Sequence, residues 1–309
     1  MDRFAELKTF CTVVACGGFS AAARQLGVAT SSVTRVIDAL EGRLGVALLN
    51  RSTRSVTLSE AGRGYHEDAL RILAQLDAAD DAVSERAGEA RGVLRVAAPV
   101  TFASLYIAPL LPDLRARHPR LALDLSLSET TVNLVDESID VAIRMGSPDA
   151  HPGLVARRLA AHERVLCASP AYLKRHGAPR EPADLARHDC LQFSFAGNRR
   201  SWRMRRKDSA GAVVEDVPIK GVVQADNADV LRQAALAGLG VAMLARWLVQ
   251  AELREGRLVR VLEDYDVNPG PMEVAMYAVY QANRRGSQKI RSFVDLLAEH
   301  LEQSGVPLD

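Results

Sequence analysis

Short polar side chains cluster at the start of one predicted helix, where they suit hydrogen bonding better than catalysis. Thr30, Ser31, Ser32 and Thr34 supply hydroxyls, and Arg35 adds a guanidinium within the same stretch. Such groups can bond base edges in a DNA groove or phosphate oxygens. The pattern predicts nucleic-acid contact, while capping of the helix by Thr30 or Ser31 is the alternative use of their hydroxyls.

A pair of short helices is expected to hold this cluster in place. A helix over residues 3–16 comes first. Ser20 is then expected to cap a helix over residues 21–26, and Gly27 suits the left-handed turn that ends it. The next helix has an apolar inner face formed by Val33, Val36, Ile37 and Leu40. This pair fits a helix-turn-helix whose second helix enters the major groove, and an ordinary helical hairpin is the alternative.

A basic segment follows the second of these helices. Residues 42–59 contain Arg43, Arg51 and Arg54. The apolar residues between them predict a strand, a turn and a second strand, a wing from which Arg51 and Arg54 would contact phosphates. A solvated hairpin with incidental charge is the alternative.

A long helix is predicted over residues 60–90, with Ser59 as its N-cap. Its apolar residues alternate in four- and three-residue steps and form a short heptad seam of Tyr65, Ala69, Ile72, Leu76, Ala79 and Val83. So short a seam needs a partner surface. Two-fold pairing here would place two recognition helices on successive major-groove faces.

After Gly92 the pattern changes to alternating strands and helices, which predicts parallel sheets with right-handed crossovers. We expect strands at residues 93–98, 121–127, 139–144, 164–168 and 274–281, a hairpin at 202–217, and helices at 104–117, 131–137, 170–176, 228–238 and 287–303. Open parallel sheets bind ligands beyond the carboxyl ends of their strands. The residues that meet this rule are Val100, Thr101 and Phe102, then Ser128 and Glu129, then Asn227 and Ala228.

The chemistry of these places mildly favours a small organic acid. Exposed amides at helix N-termini attract anions, and Thr101 and Asn227 can donate to a carboxylate or a hydroxyl. Glu129 would repel an anion unless its carboxyl group is protonated or paired. The alternative role of Thr101 and Asn227 is to act as plain N-caps.

The bulk composition describes a folded chain with more than one domain. The 309 residues include 39 basic and 38 acidic side chains, a net charge of +1, and 48% are hydrophobic. This excludes a disordered or collagen-like chain, and any nucleic-acid surface must be locally basic. The first residues do not resemble a secretory signal, so we expect a cytoplasmic protein with no membrane partner. The most apolar run, residues 234–245, is too short to cross a membrane and is interpreted as a buried helix.

The cysteines and histidines show no metal-ligand spacing, and no cofactor is predicted. Reduced thiols are expected, with redox sensing through Cys167 and Cys190 as an alternative. No nucleophile elbow, phosphate loop or zincin motif is present, which leaves an enzyme or a plain solute-binding protein as remote alternatives. Basic and aromatic residues interleave at 199–207, where a solvated hairpin is favoured over a second nucleic-acid patch.

The N-terminal residues closely resemble the DNA-binding signature of LysR-type regulators. The matching positions are Phe19, Ser20, Ala21, Ala22, Ala23, Arg24, Leu26, Val33, Thr34, Arg35, Leu40, Glu41, Leu44, Gly45, Arg51, Arg54, Leu58, Ala61 and Gly62. Residues 97–99, 141–144, 146, 166–170 and 226–228 resemble landmarks of the family's effector domain. The chain departs from the common family pattern at Thr30 and Ser31, where Gln-Pro is frequent, and at Glu129, where Asp is frequent.

This resemblance implies a winged helix-turn-helix at residues 1–59, a linker and dimerisation helix at 60–91, and an α/β effector domain at 92–309. The effector domain would have two Rossmann-like lobes, as in periplasmic binding proteins, at residues 92–166 with 270–309 and at 167–269. The chain would cross between the lobes near Cys167 and at residues 267–272. The implied partners are promoter DNA, a small-molecule effector between the lobes, further copies of the chain in a homotetramer built from dimers, and RNA polymerase. No enzymatic activity is implied.

Overall fold

The N-terminal part of the chain forms three helices and a two-stranded wing. The computed structural model describes residues 2–51, 56–85, 90–130, 133–134, 139–147, 153–194, 201–207 and 213–307. The N-terminal elements are α1 (Arg3–Ala15), α2 (Phe19–Leu26), α3 (Thr30–Leu44), β1 (Leu49–Arg51) and β2 (Val56–Leu58), and β1 pairs antiparallel with β2. The predicted helix-turn-helix and wing are present, and Gly27 has the left-handed φ of 67° expected at the end of α2.

The helix starts differ from the capping prediction. Helix α2 begins at Phe19, with Gly18 rather than Ser20 at the N-cap position. Helix α3 begins at Thr30 behind Ala29, which offers no side-chain cap, so neither Thr30 nor Ser31 caps it. Phe19, the first residue of α2, is half-buried and packs against the N-terminal core, and burial of apolar surface competes with a side-chain cap that is worth about 1 kcal/mol.

A long helix, α4 (Glu60–Glu85), follows the wing, and Ser59 caps it as predicted. The Gly62 amide donates to Ser59 Oγ at 2.9 Å. In the predicted heptad seam, Tyr65 and Ala69 pack on the N-terminal core, whereas Ile72 and Leu76 are 43% and 37% exposed. The side chain of Val83 lies outside the described residues.

The first lobe of the C-terminal domain contains the elements β3 (Gly92–Ala98), α5 (Val100–Phe102), α6 (Leu111–Arg117), β4 (Leu121–Leu127), β5 (Val141–Gly146), β6 (Leu154–Ala161), β15 (Ala275–Gln281) and α10 (Gln288–Gln303). Its five strands form one sheet of order β4-β3-β5-β15-β6. Strands β3, β4 and β5 are parallel, as predicted, but β15 runs antiparallel to β5 and β6. The sheet is mixed because β15 enters it from the other lobe.

The second lobe contains the elements β7 (Arg164–Ala168), α7 (Pro170–His176), β8 (Asp189–Phe193), β9 (Ser201–Arg206), β10 (Glu215–Pro218), β11 (Lys220–Ala225), α8 (Ala228–Leu236), β12 (Val241–Ala245), α9 (Arg246–Arg254), β13 (Val259–Val261) and β14 (Tyr265–Asn268). Its strands form a five-stranded sheet of order β11-β8-β12-β7-β13 and a three-stranded sheet of order β10-β9-β14. The predicted hairpin is the β9–β10 pair.

Two predicted helices differ from the structure, one in its limits and one in its type. The helix expected at residues 104–117 begins earlier, at Val100, and passes through a π-helical turn (Ala103–Ile107) and a 3-10 turn (Ala108–Leu110) before α6. The buried helix expected at residues 234–245 is wrong, because α8 ends at Leu236 and Val241–Ala245 form a strand buried on both faces. The helix expected at residues 131–137 falls almost entirely outside the described residues.

The chain crosses between the two lobes twice. It leaves the first sheet at Ala161 and enters the second at Arg164, so the first crossing comes slightly before the one predicted near Cys167. It returns between Asn268, the last residue of β14, and Ala275, the first of β15. Two segments, residues 162–163 and 269–274, therefore connect the lobes.

We predict that Gly62→Ala destabilises the N-terminal domain, because its Cβ would lie 2.0 Å from the carbonyl oxygen of Leu48. The free energy of unfolding should fall by at least about 2 kcal/mol. Gly64→Ala is the matched control, since a Cβ there meets nothing within 4 Å. That variant should gain up to about 1 kcal/mol from helix propensity. Urea unfolding compares the two, and equal stabilities would refute the steric account.

Candidate nucleic-acid interface and interlobe cleft

One face of α3 is exposed and polar. Thr30, Ser31 and Arg35 are exposed, whereas the opposite face packs into the core. The buried residues of α3 are Val33, Ile37 and Leu40. Residues four apart lie on the same side of a helix, so Ser31 and Arg35 share the outward side. The predicted contact residues are thus available to an external partner.

Ser32 and Thr34 lie at the margins of this face and are half-buried. The hydroxyl of Thr34 donates to the carbonyl oxygen of Thr30 at 3.1 Å. A hydroxyl oxygen keeps acceptor capacity after it donates its proton. In this conformation Thr34 can therefore accept a hydrogen bond from a partner but not donate one.

Arg51 is held by carboxylates of α3, a pairing that the sequence alone did not predict. Its guanidinium lies 2.8 Å from Asp38 Oδ1 and 2.5 Å from Glu41 Oε2. It also lies over the Phe19 ring, 5.1 Å from the centroid. The side chain stays 38% exposed, so its position at the wing is fixed while one side faces solvent. Arg54, the other predicted wing contact, lies outside the described residues.

Glu41 ties the wing to α3. One carboxylate oxygen accepts hydrogen bonds from the backbone amides of Leu48 at 2.7 Å and Leu49 at 3.0 Å, and the other oxygen faces Arg51. Arg43 is likewise committed, 2.7 Å from Glu6 on α1. Arg43 and Arg51 therefore have structural partners as well as charge.

A cavity of about 400 Å³ lies between the two lobes of the C-terminal domain. Four of the predicted effector residues line it: Thr101, Ser128, Glu129 and Ala228. The cavity is bounded by segments that follow β3 and β4 in the first lobe and β11 and β12 in the second. This is the position expected for ligands of open sheets.

The other three predicted effector residues have different positions. Val100 is partly exposed, and its backbone amide is hydrogen-bonded to the Glu129 carboxylate. Phe102 is fully buried in an aromatic cluster, 5.3 Å from the Tyr106 ring and 5.6 Å from the Trp247 ring. Phe102 therefore supports the wall of the cleft instead of facing it.

Asn227 is an N-cap, which is the alternative role predicted for it. Its Oδ1 accepts from the amides of Asp229 at 3.0 Å and Val230 at 3.3 Å, at the start of α8. Thr101 is not an N-cap, since it lies inside α5 behind Pro99. Asn227 also reaches across the cleft, where its Nδ2 donates to Glu129 Oε1 at 3.4 Å.

Glu129 thus brings its own carboxylate to the place where an external anion was expected. Burial raises the pKa of this carboxyl group, and the nearby charge of Asp226 adds to the effect, while the Val100 amide opposes it. An anion at this end of the cleft would meet like charge. The other end of the cleft is the better place for one.

Three residues at that other end were not predicted: His162, Arg164 and Arg144, all of which line the cavity. His162 is only 4% exposed, and its Nδ1 accepts from Trp247 Nε1 at 3.2 Å. Burial lowers the pKa of His162 to about 3, and the charge of Arg164 adds to the shift. Burial also lowers the pKa of Arg164 to about 10, so the guanidinium remains charged at neutral pH.

A second cavity of about 260 Å³ adjoins the first and shares part of its lining, including Arg164, Phe193 and Met243. It extends toward Trp202 and Asn268 in the second lobe. The two spaces meet at Arg164, which therefore borders both.

Cys167 and Cys190 are placed unfavourably for a mutual disulfide. They lie on β7 and β8, which are separated by β12, so their Cα atoms are about two strand spacings, or about 10 Å, apart. A disulfide needs Cα atoms within about 7 Å. Their side chains belong to different apolar clusters. Burial raises the pKa of each thiol to about 12, which disfavours the reactive thiolate.

The basic hairpin has the alternation predicted for a strand with one solvated face. Trp202 and Met204 are buried, whereas Arg203 and Arg205 point the other way. Arg205 pairs with Asp266 at 3.1 Å. In the described part of the chain, no group of His, Cys, Asp and Glu could hold a metal ion. Among the same residues, no helix is long and apolar enough to cross a bilayer.

Two family models match the chain. Residues 4–63 match the bacterial regulatory helix-turn-helix protein of the lysR family, and residues 87–302 match the LysR substrate binding domain. The first covers α1 to the start of α4, and the second covers both lobes. Together they account for almost the whole chain.

Similar proteins align with this chain over nearly their full length. The HTH-type transcriptional regulator CrgA of Neisseria meningitidis serogroup C is 36% identical over 297 residues, which cover 96% of each chain. The HTH-type transcriptional regulator DmlR of Escherichia coli K12 is 33% identical and aligns with 96% of this chain and 94% of its own. The solved structure of CrgA, described as a LysR-type transcriptional regulator, superposes with a TM-score of 0.60 at 33% identity and covers 96% of this chain and 98% of that one.

We predict that Glu41→Ala lowers the free energy of unfolding by about 2–4 kcal/mol, because two backbone amides and Arg51 lose a charged acceptor. Asp38→Ala is the matched control. It removes the exposed partner of Arg51 and should change stability by less than about 1 kcal/mol. Urea unfolding measures both, and a Glu41→Ala effect no larger than the control would contradict the assigned role.

We predict an acid sensitivity that depends on His162. Above pH 6.5 the ring is neutral in the folded and unfolded chains; between pH 6.5 and about 3 only the unfolded chain binds the proton. The free energy of unfolding should therefore fall with decreasing pH, by up to about 1.4 kcal/mol per unit from this group. The pKa of His188 is also lowered by burial and adds a smaller slope.

Urea unfolding at pH 7.0, 6.3 and 5.5 measures this slope. His162→Gln should reduce it, whereas His118→Gln, which replaces a histidine beyond the end of α6, should leave it unchanged. An undiminished slope in His162→Gln would show that the buried ring is not its source.

Proposed function

The chain belongs to the LysR family of DNA-binding transcription regulators, and from that premise we propose that a small molecule bound between its two lobes changes how it acts on promoter DNA. The single observation that carries the DNA-binding part is the exposed polar face of α3, opposite a fully buried apolar face. Because the family consists of regulators, we do not propose an enzyme.

We place α3 in the major groove, with Thr30, Ser31, Ser32, Thr34 and Arg35 as its contacts. The N-terminal end of a recognition helix lies nearest the base edges, and this end carries the short hydroxyls. Arg35 reaches furthest and can bond a guanine edge or a phosphate. Arg51 and Arg54 contact phosphates from the wing, with Arg51 held in place by Asp38 and Glu41.

The working unit is proposed to be a dimer that pairs through α4, with two dimers forming a tetramer. Ile72 and Leu76 support this, since both lie exposed on the α4 seam of a single chain. Their burial against a second copy would remove apolar surface from water and space two α3 helices for a palindromic site. We place the protein in the cytoplasm, where promoter DNA and RNA polymerase are, and include the polymerase as a further partner.

The effector is proposed to bind in the cavity lined by Thr101, Ser128, Glu129 and Ala228. Its walls come from both lobes, so a ligand that prefers one arrangement of the lobes would shift the population toward it. We do not extend the proposal to redox sensing, because Cys167 and Cys190 are buried on opposite faces of one sheet.

We predict that Arg35→Ala weakens capture of the host's own genomic fragments by the purified full chain. The loss should be about 5- to 150-fold, the range for one good base contact. Arg206→Ala is the control, because it removes an exposed arginine from the hairpin of the regulatory domain. Sequencing of the captured fragments should give discrete sites for the wild type and the control.

The salt dependence of binding to one such site identifies the contact made by Arg35. Loss of a phosphate contact would lower the slope of log affinity against log salt by about 0.9, whereas loss of a base contact would leave the slope unchanged. Fragments without discrete sites for the wild type, or equal capture by Arg35→Ala, would refute the assigned interface.

A further inference from the structure

The interlobe cleft has opposite charges at its two ends, and strand order explains why. Glu129 follows β4, an edge strand of the first sheet, and Asp226 follows β11, an edge strand of the second. Arg144 lies in β5, two strands from β4, and Arg164 begins β7, three strands from β11. At about 4.8 Å per strand, the acids and the arginines are separated by about 10 to 14 Å of sheet.

At the basic end, His162 holds a hydrogen-bond donor without an acceptor. Because its Nδ1 accepts from Trp247, the proton of the neutral ring lies on Nε2. Nε2 is buried and has no hydrogen-bond partner among the described residues. A buried donor without a partner destabilises the folded chain, so a ligand that brings an acceptor to His162 Nε2 would bind more tightly. Arg164 lines the same cavity and supplies positive charge beside this donor.

At the acidic end, Glu129 keeps acceptor capacity. Its carboxylate accepts from the Val100 amide and from Asn227 Nδ2 at 3.4 Å. An ionised carboxylate can accept about four hydrogen bonds, so these two leave room for a donor from a ligand. Asp226 adds negative charge to the same end, which favours a cationic donor over a neutral one.

We propose, on the basis of the effector site proposed above, that the cleft takes a dipolar ligand with a carboxylate at one end and an ammonium group at the other. The carboxylate lies against Arg164 and accepts from His162 Nε2, while the ammonium group faces Glu129. A hydroxyl in place of the ammonium group satisfies Glu129 less well. A plain aliphatic acid leaves Glu129 and Asp226 unmatched.

Calorimetric titration of the full chain with three matched series tests this ligand class. The probes are 4-aminobutyrate, 5-aminopentanoate and 6-aminohexanoate, their terminal hydroxy analogues, and the unsubstituted acids of the same lengths. At the best length, the amino acid should bind at least about tenfold more tightly than the unsubstituted acid, and the hydroxy acid should fall between them. Equal or tighter binding of the unsubstituted acid overturns the proposal, as does an absence of binding throughout.

Two variants assign the ends of the ligand. Glu129→Gln preserves the shape of the side chain and should abolish the preference for the amine without weakening the unsubstituted acid. Arg164→Gln should weaken every series, and Arg206→Gln, on the remote hairpin, should weaken none. A preference for the amine that survives Glu129→Gln overturns the proposal even if Arg164→Gln fails to fold.

The failure of this ligand class can be distinguished from the failure of effector control. An ultrafiltered extract of host metabolites is added to the promoter-binding assay in parallel. If the extract changes promoter affinity and none of the series binds, only the dipolar ligand is excluded. If neither has an effect, effector control by the cleft is excluded as well.

Discussion

The carboxyl ends of strands from two separate sheets border one cavity, and the connections between the two lobes hold them in this position. The chain does this by crossing between the sheets twice, at residues 162–163 and 269–274. The first crossing places His162 in the wall of the cavity, and the second contributes Pro271. The segments that position the lobes therefore also line the space for a ligand. A ligand that contacts these residues would therefore also act on the position of the lobes, as a population shift requires.

In the N-terminal domain, ion pairs offset the acidic charge beside the exposed face of α3. The net charge is +1, so the chain as a whole has little attraction for DNA. Arg51 neutralises Asp38 on the outward side of α3 and, with Glu41, fixes the wing beside it. Arg35 then stands on an exposed helix face from which the acidic charge has been offset. The close approach of α4 to the wing, at Gly62 and Leu48, holds this unit at the start of the long helix.

Periodicity predicted many of the helices and strands, but it missed strands such as β6 and β8 and could not predict the contacts between elements. The spacing of Val33, Ile37 and Leu40 predicted α3, and the alternation around Trp202 predicted the hairpin. Residues 234–245 were misassigned because a short apolar run has no period that separates a buried helix from a buried strand. The Glu41–Arg51 pair and the His162–Trp247 bond join residues whose proximity exists only after folding. Glu129 was predicted as a cleft residue because it follows a predicted strand. The basic end of the cleft was not predicted, since His162 follows β6, a strand that the periodicity did not reveal.

Transcript levels in the host show whether the cleft controls what the DNA-binding domain does. Genes beside the captured genomic sites are compared in cells that carry the wild type, Arg35→Ala or Arg164→Gln in place of the native chain. Both variants should change the same genes, Arg35→Ala through loss of DNA binding and Arg164→Gln through loss of the response to the ligand. Wild-type transcript levels in Arg164→Gln cells, across growth conditions that alter those genes in the wild type, would show that the cleft does not control them.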